Sequence, residues 1–157
     1  MNDDHVRRLG QGFYWQDLSE GDRFVTFRRT ITETDLVNFI SVTGMLEELF
    51  IDASHAGGAM GGRVVPAALT YSLIEGMLLQ TMIQGTGMAL LETHSKALKP
   101  VRVGDTIYAR VEVTKLKPTS KGNRAIVESA VDIRNQDGDS VMTYVVTRML
   151  AGSPAET

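Results

Sequence analysis

Alternation of apolar and polar residues divides the second half of the chain into four predicted strands. They cover Met88 to Leu98, Thr106 to Leu116, Arg124 to Arg134 and Ser140 to Leu150. The third segment shows the clearest period of two, because small or apolar residues such as Val127 and Val131 alternate with charged ones such as Glu128. Asp137-Gly138 favours a hairpin turn before the last strand. This pattern predicts a run of antiparallel strands.

The first half of the chain predicts one strand and two helices. Arg23 to Ile31 is rich in β-branched and aromatic residues, and Thr32 then has the position of an N-cap for a helix that ends at Gly44. From Met45 to Gly62 the period is lost and glycines accumulate, which indicates a long loop with short turns. The segment from Pro66 to about Gln84 is apolar nearly all round, which is typical of a buried helix.

This order of elements predicts an α+β fold, with an antiparallel sheet wrapped around one long helix. The length of 157 residues fits a single domain that spans residues 1–157. Residues 1–12 and 153–157 are polar and charged, so we expect them to be loose termini.

Composition excludes several classes of protein. The absence of cysteine rules out a disulfide scaffold, cysteine-ligated zinc, iron–sulfur clusters and thiol catalysis. The three histidines are scattered, so no metal site is expected. A net charge of −3 argues against a nucleic-acid surface, and polar residues interrupt the most apolar stretch, so no membrane span is expected. The amino end lacks the apolar run of a signal peptide, and we expect a soluble, cytoplasmic protein.

Four short segments, in order, carry a family resemblance. They are Phe13-Tyr14-Trp15-Gln16-Asp17-Leu18 with Gly21-Asp22, then Thr30 to Asp35 leading to Phe39, then Gly61-Gly62-Arg63-Val64-Val65, and finally Lys99 to Thr106. With them the chain resembles the MaoC-like family of hotdog-fold acyl-CoA hydratases and dehydratases.

The resemblance implies a hotdog fold and a thioester substrate, carried by coenzyme A or an acyl carrier, whose acyl chain lies in a tunnel beside the central helix. Coenzyme A would then be part of the substrate, with no separate cofactor. The resemblance also implies a homodimer with joined sheets, or a higher homo-oligomer. We expect the two sheets to run edge to edge through the last strands, because these carry β-branched residues such as Val141, Val145 and Val146 and few charges that would block an edge.

The family's proton-transfer pair is broken in this chain. Where these hydratases carry an Asp followed five positions later by a His, Met45 and Phe50 stand here, and we expect both to line the substrate site. Neither side chain can transfer a proton. The nearest candidates are Glu47 as the base and His55 as the acid. The alternative is that both are ordinary loop residues, since acidic pairs on loops commonly serve solubility.

Substrate-binding groups are expected at the start of the central helix. The family's His-Gly corresponds to Pro66-Ala67, so the amide of Ala67 or Ala68 would bind the thioester oxygen at the positive end of the helix. Arg63 is a candidate for binding a substrate carboxylate or the phosphates of coenzyme A. A salt bridge from Arg63 to Glu47 or Glu48 is the alternative.

Glu75 favours a different reaction, the hydrolysis of a thioester. It lies on the otherwise apolar central helix, where hotdog thioesterases keep a catalytic carboxylate, although a structural role with a partner such as Tyr71 is the alternative. Three functions therefore remain open. They are a hydratase or dehydratase with a rearranged site, a thioesterase that uses Glu75, and an acyl-thioester-binding protein without catalysis.

Overall fold

The computed structural model describes residues 8–56 and 58–154 as a curved antiparallel sheet packed against one long helix. In chain order the elements are β1 Arg23–Val25, β2 Arg29–Thr30, α1 Glu33–Thr43, α2 Glu48–Ile51, α3 Ala67–Gln80, β3 Gly87–Ala97, β4 Thr106–Pro118, β5 Arg124–Arg134 and β6 Ser140–Ala151. The sheet order is β1-β4-β5-β6-β3, and β2 also pairs with β4. The predicted α+β arrangement is therefore confirmed.

The four long strands lie where the alternation predicts them, within two residues at each end. The first predicted strand is wrong in one respect, because it is divided into β1 and β2. Thr26 lies at the break: its amide donates to the Ala109 carbonyl, and its hydroxyl accepts the Ala109 N–H. A side-chain oxygen thus takes the place of a main-chain carbonyl, and the regular ladder stops there.

Helices α1 and α2 begin at side-chain caps. Thr32 Oγ1 accepts the Asp35 N–H at 3.2 Å, while Asp35 Oδ2 accepts the Thr32 N–H at 2.9 Å. Gly44 ends α1 in the left-handed conformation. The predicted loop contains the short helix α2, whose start is capped by Glu47. The cap is the reason that this helix forms within a segment lacking helical periodicity.

The central helix α3 ends at Gln80, four residues before the predicted end. Thr81 and Ile83 both donate their amides to the Leu78 carbonyl, which closes the helix and turns Met82 and Ile83 into the core. One side of α3, including Leu69 and Ile74, is buried against the sheet. The opposite side stays exposed and carries Ala68, Ser72 and Leu79. The apolar sequence predicts a helix surrounded on all sides, but this chain alone covers only one side.

Two expectations about the ends of the chain and the sheet need correction. Gly12 donates its amide to the Gln84 carbonyl at 2.8 Å, and Ser153 donates to the Gln16 side chain, so the predicted loose termini are too long. Residues 1–7 and 155–157, with His5, lie outside the described residues. Strand β6 lies between β5 and β3, with Val141 and Val146 buried, so the joining edge predicted on the last strand is wrong. The long strand at the sheet edge is β3.

Candidate functional site

A cavity of about 440 Å³ lies beside the first turn of α3. Its wall comes from α2, the segment before α3, the end of β3 and the start of β6. The lining residues are Leu49, Phe50, Ala59, Met60, Val64, Val65, Ala67, Thr70, Ala97, Leu98, Lys99, Pro100, Val101, Val141 and Met142. Those from 59–60 and 97–100 are exposed, whereas Val65, Thr70, Val141 and Met142 are buried. The mouth therefore lies between residues 59–60 and 97–100, and the floor lies under α3.

Two arginines hold the polypeptide around the mouth. Arg63 Nε donates to the Phe50 carbonyl at 3.0 Å, and its guanidinium pairs with Glu33 on α1. Arg102 donates to the carbonyl oxygens of Met60, Gly61 and Arg63. The predicted salt bridge of Arg63 to Glu47 or Glu48 is wrong, because the side chain points to α1 instead. Both guanidinium groups position the main chain that forms the wall.

The wall of the cavity is almost entirely apolar. Among the described lining residues, Thr70 and Lys99 carry the only polar side-chain groups. Lys99 Nζ pairs with Asp139 at 2.9 Å, and about half of each side chain is exposed, which places this pair at the mouth. Thr70 Oγ1 is buried and has no hydrogen-bond partner among the described residues. No carboxylate or imidazole lines the cavity in the part of the chain that the structure describes.

The predicted substrate-binding residues divide into two groups. Phe50 and Ala67 lie in the cavity wall, whereas Met45, Ala68 and Arg63 are not part of it. The Pro66 carbonyl accepts the amides of Leu69 and Thr70. The amides of Ala67 and Ala68 make no hydrogen bond within the described residues. They are the free donors expected in the first turn of a helix, and Ala67 is at the cavity.

The three predicted catalytic residues do not meet at one place. Glu47 is exposed and does not line the cavity, although its Oε2 accepts the N–H of Leu49, a lining residue, at 2.8 Å. His55 is half-buried, and its amide donates to the Asp52 carbonyl. The Asp52 carboxylate accepts the Ser54 hydroxyl and amide, and these bonds hold the pKa of Asp52 below its usual value.

Glu75 belongs to a separate buried cluster between α3 and β6. Arg148 Nη2 donates to both carboxylate oxygens at 2.6 and 2.5 Å, and the Tyr144 hydroxyl donates to Oε1 at 2.6 Å. Burial, and next the charge of Glu75, raise the pKa of Tyr144. The Tyr71 ring packs edge-on against Tyr144 and makes no hydrogen bond to Glu75 among the described contacts.

Sequence reasoning missed Arg148, although a signal was present. Arg148 shares the inward register of β6 with Met142, Tyr144, Val146 and Leu150, all of which are buried. A charged residue on the apolar face of a strand requires a buried partner. The only carboxylate on the predicted central helix is Glu75. The sequence therefore contains enough information to predict an ion pair between Arg148 and Glu75.

Comparison with known proteins identifies the family to which the chain belongs. The model of the MaoC like domain matches residues 19–135, which is well over half of the chain. The chain belongs to the MaoC-like domain family. The MaoC-like resemblance seen in the sequence is therefore confirmed.

Two curated relatives of this MaoC-like chain illustrate the range of its similarities. Protein MaoC of Klebsiella aerogenes is 30% identical over 131 residues, but the match spans 83% of this chain and only 38% of that protein. An (R)-specific enoyl-CoA hydratase of Rhodospirillum rubrum is 28% identical over 109 residues, which cover 69% of this chain and 74% of the relative.

A solved structure from Mycobacterium tuberculosis, a conserved hypothetical protein with a double hotdog fold, superposes on the MaoC-like chain with a TM-score of 0.82. The two are 23% identical, and the superposition covers 96% of this chain and 47% of that one. The hotdog fold predicted from the sequence is confirmed. No helix within the described ranges is long and apolar enough to cross a membrane, and no group of three potential metal ligands occurs there.

Proposed function

We propose that this MaoC-like protein binds an acyl thioester in the cavity beside α3 and acts on it as a hydratase or dehydratase, interconverting enoyl and 3-hydroxyacyl forms. One observation carries the proposal: Ala67, whose amide makes no hydrogen bond to the described residues, lines an apolar cavity of about 440 Å³. The coenzyme A or carrier portion belongs to the substrate, and no separate cofactor is required. The cytoplasmic location stays a prediction.

The geometry supports binding of a thioester in one orientation. Apolar walls receive the acyl chain, while the first turn of α3 offers an N–H group and a positive dipole end to the thioester oxygen. Negative charge builds on this oxygen when a proton leaves or joins the α-carbon. A donor at this point therefore favours the transition state of addition or elimination of water.

The test is incubation of the purified protein with a panel of enoyl- and 3-hydroxyacyl-CoA thioesters. The enoyl absorbance and the release of free thiol are followed together. A change in enoyl absorbance without release of thiol supports the hydratase or dehydratase. Release of thiol without a change in enoyl absorbance supports the thioesterase and contradicts the proposal.

A second candidate function is binding of an acyl thioester without turnover. The specific observation in its favour is the described cavity wall, which contains Phe50 but neither a carboxylate nor an imidazole. In this case acyl-CoA binds with measurable affinity and every tested thioester remains unchanged. Thioesterase chemistry through Glu75 receives less support, because the carboxylate is already engaged by Arg148 and Tyr144.

The proposal includes a homodimer, which the unpartnered surfaces of α3 and β3 support. β3 is a long edge strand whose Met88, Leu90 and Leu91 are 50–57% exposed. Ile83, just beyond the end of α3, contacts the start of β3, and the first turn of α3 shares a cavity with the end of β3. The open side of α3 and the free edge thus run alongside each other, and a second copy would cover both.

Leu91→Asp is therefore expected to convert the dimer to a monomer, because a charge on the joining edge would be buried without a partner. Light scattering after size-exclusion chromatography at micromolar concentration measures the change. The matched control is Val42→Asp on α1, where the side chain is 84% exposed and the dimer should persist. A monodisperse monomer of the parent protein would contradict the proposal.

A further inference from the structure

We propose, as an extension of the function above, that Thr70 binds the oxygen atom at C3 of the acyl group. This oxygen belongs to the hydroxyl group of the 3-hydroxyacyl thioester, or to the water molecule that adds to the enoyl thioester. Thr70 holds it by a hydrogen bond and takes no part in the transfer of protons. The inference rests on the proposed function, and it adds a residue for the second reacting oxygen in a site whose described wall has neither a carboxylate nor an imidazole.

Thr70 is a buried residue of the cavity wall whose hydroxyl group is not used by the fold. The residue is 2% exposed, and its Oγ1 has no hydrogen-bond partner among the described residues. A threonine hydroxyl on a helix commonly bonds to the carbonyl oxygen four residues earlier, but the Pro66 carbonyl accepts the amides of Leu69 and Thr70 instead. A buried hydroxyl without a partner costs free energy, and a polar atom of a ligand would recover it.

Thr70 and the free amide of Ala67 belong to the same turn of α3. Residues three apart lie on one face of a helix, with their Cβ atoms about 5–6 Å apart, and both of these residues line the cavity. Ala67 is exposed, whereas Thr70 is buried toward the floor. The two hydrogen-bonding groups therefore follow each other from the mouth inward.

The two oxygen atoms of a 3-hydroxyacyl thioester follow the same order. The carrier leaves through the mouth, so the thioester oxygen on C1 lies nearer the mouth than the oxygen on C3. With the C1 oxygen at the amide of Ala67, C3 lies deeper, beside Thr70. A threonine on a helix adopts either of two rotamers about its Cα–Cβ bond, and rotation brings the hydroxyl to the position of the methyl group. Lys99, the other polar side chain of the described wall, is at the mouth and pairs with Asp139.

The experiment compares two CoA thioesters that differ only at C3. Acetoacetyl-CoA carries an oxygen at C3 and butyryl-CoA carries none. Neither can be hydrated or dehydrated, so binding is separated from turnover. Isothermal titration calorimetry measures both dissociation constants, and the parent protein is expected to bind acetoacetyl-CoA about five- to tenfold more tightly, which is the usual contribution of one hydrogen bond.

Thr70→Val has nearly the same shape without the hydroxyl and should abolish this difference, whereas Thr70→Ser retains the hydroxyl and should retain the difference. A role of Thr70 in packing alone would change both dissociation constants by the same factor. Thr70→Ala, which also lacks the hydroxyl, gives the same comparison if the valine variant fails to fold. Equal affinities of the parent for the two thioesters, or a difference that persists in the variants without the hydroxyl, overturn the inference.

Thr86→Val is the matched control. Thr86 is 1% exposed, and its hydroxyl also lacks a partner among the described residues. It does not line the cavity, so the preference for acetoacetyl-CoA should stay as it is in the parent. Loss of the preference in this variant as well would trace the effect to the general loss of a buried hydroxyl and contradict the inference.

The outcomes also separate this inference from the proposed function. A preference for acetoacetyl-CoA that depends on Thr70, without turnover of enoyl-CoA, supports binding of the C3 oxygen and contradicts the hydratase. Turnover of enoyl-CoA with equal affinities for the two thioesters supports the hydratase and contradicts the inference. Absence of binding of both thioesters contradicts both.

Discussion

Arg148→Met is expected to lower the free energy of unfolding by about 3–5 kcal/mol, because it leaves the Glu75 carboxylate buried without its cation. The side chains of Arg148 and Glu75 are only 10% and 15% exposed. Their two short hydrogen bonds, together with the one from Tyr144, satisfy the carboxylate. Tyr144 alone cannot neutralise the charge. Urea denaturation followed by circular dichroism measures the change.

The double variant Glu75→Leu/Arg148→Met is the control for this ion pair. Replacing both charges with apolar groups of similar size is commonly neutral or stabilising, so most of the lost stability should return. Lys115→Met, which breaks an exposed pair with Glu128, should change the stability by no more than about 1 kcal/mol. A loss below about 1 kcal/mol in Arg148→Met would show that water reaches Glu75 and that the cluster is not a structural element.

The periodic parts of the fold could be predicted from the sequence because each obeys a local rule. The bounds of β5 are predicted to the residue, since its inward positions, such as Val127 and Val131, alternate without interruption. The cap of α1 follows from Thr32 and Asp35, whose reciprocal hydrogen bonds involve residues three apart. Such signals depend on neighbours in the chain and need no knowledge of tertiary structure.

The free edge of the sheet could not be predicted in the same way. β6 and β3 have similar lengths, and only the strand order decides which of them lies outside. The valines of β6 reflect its interior position between two strands, because residues buried within a sheet are β-branched for packing. Leu90 and Leu91 on β3 are exposed, and they indicate a joining edge only when the order of the strands in the sheet is known.

The position of the cavity beside the central helix could be predicted from the sequence, but the set of residues that line it could not. The resemblance located it at the start of the central helix, and Phe50 and Ala67 do line the cavity there. Side-chain directions within the aperiodic segment from Met45 to Gly62 depend on long-range bonds, such as those from Arg102 to Met60 and Gly61. No local pattern encodes these contacts, which is why Glu47 and Glu48, the alternative partners predicted for Arg63, are wrong.

Glu47→Gln is expected to lower any hydratase turnover by about 10²–10⁴-fold, which is the usual contribution of a general acid or base. Among the predicted catalytic residues, Glu47 is joined to the cavity wall through its hydrogen bond to the amide of Leu49, a lining residue. Its second oxygen, Oε1, has no hydrogen bond to the described residues, so it is available to hold a water molecule. Conversion of enoyl-CoA, followed by absorbance, measures the effect.

Glutamine retains an oxygen that can accept the Leu49 N–H, so the cap of α2 and the stability of the protein should be preserved while the base is removed. Glu48→Gln is the matched control, since the adjacent carboxylate makes no side-chain hydrogen bond among the described residues and its loss should leave turnover unchanged. Equal loss in both variants would indicate a general effect of charge in the loop. Full activity of Glu47→Gln would instead assign the proton transfer to His55 or to a residue of the second copy.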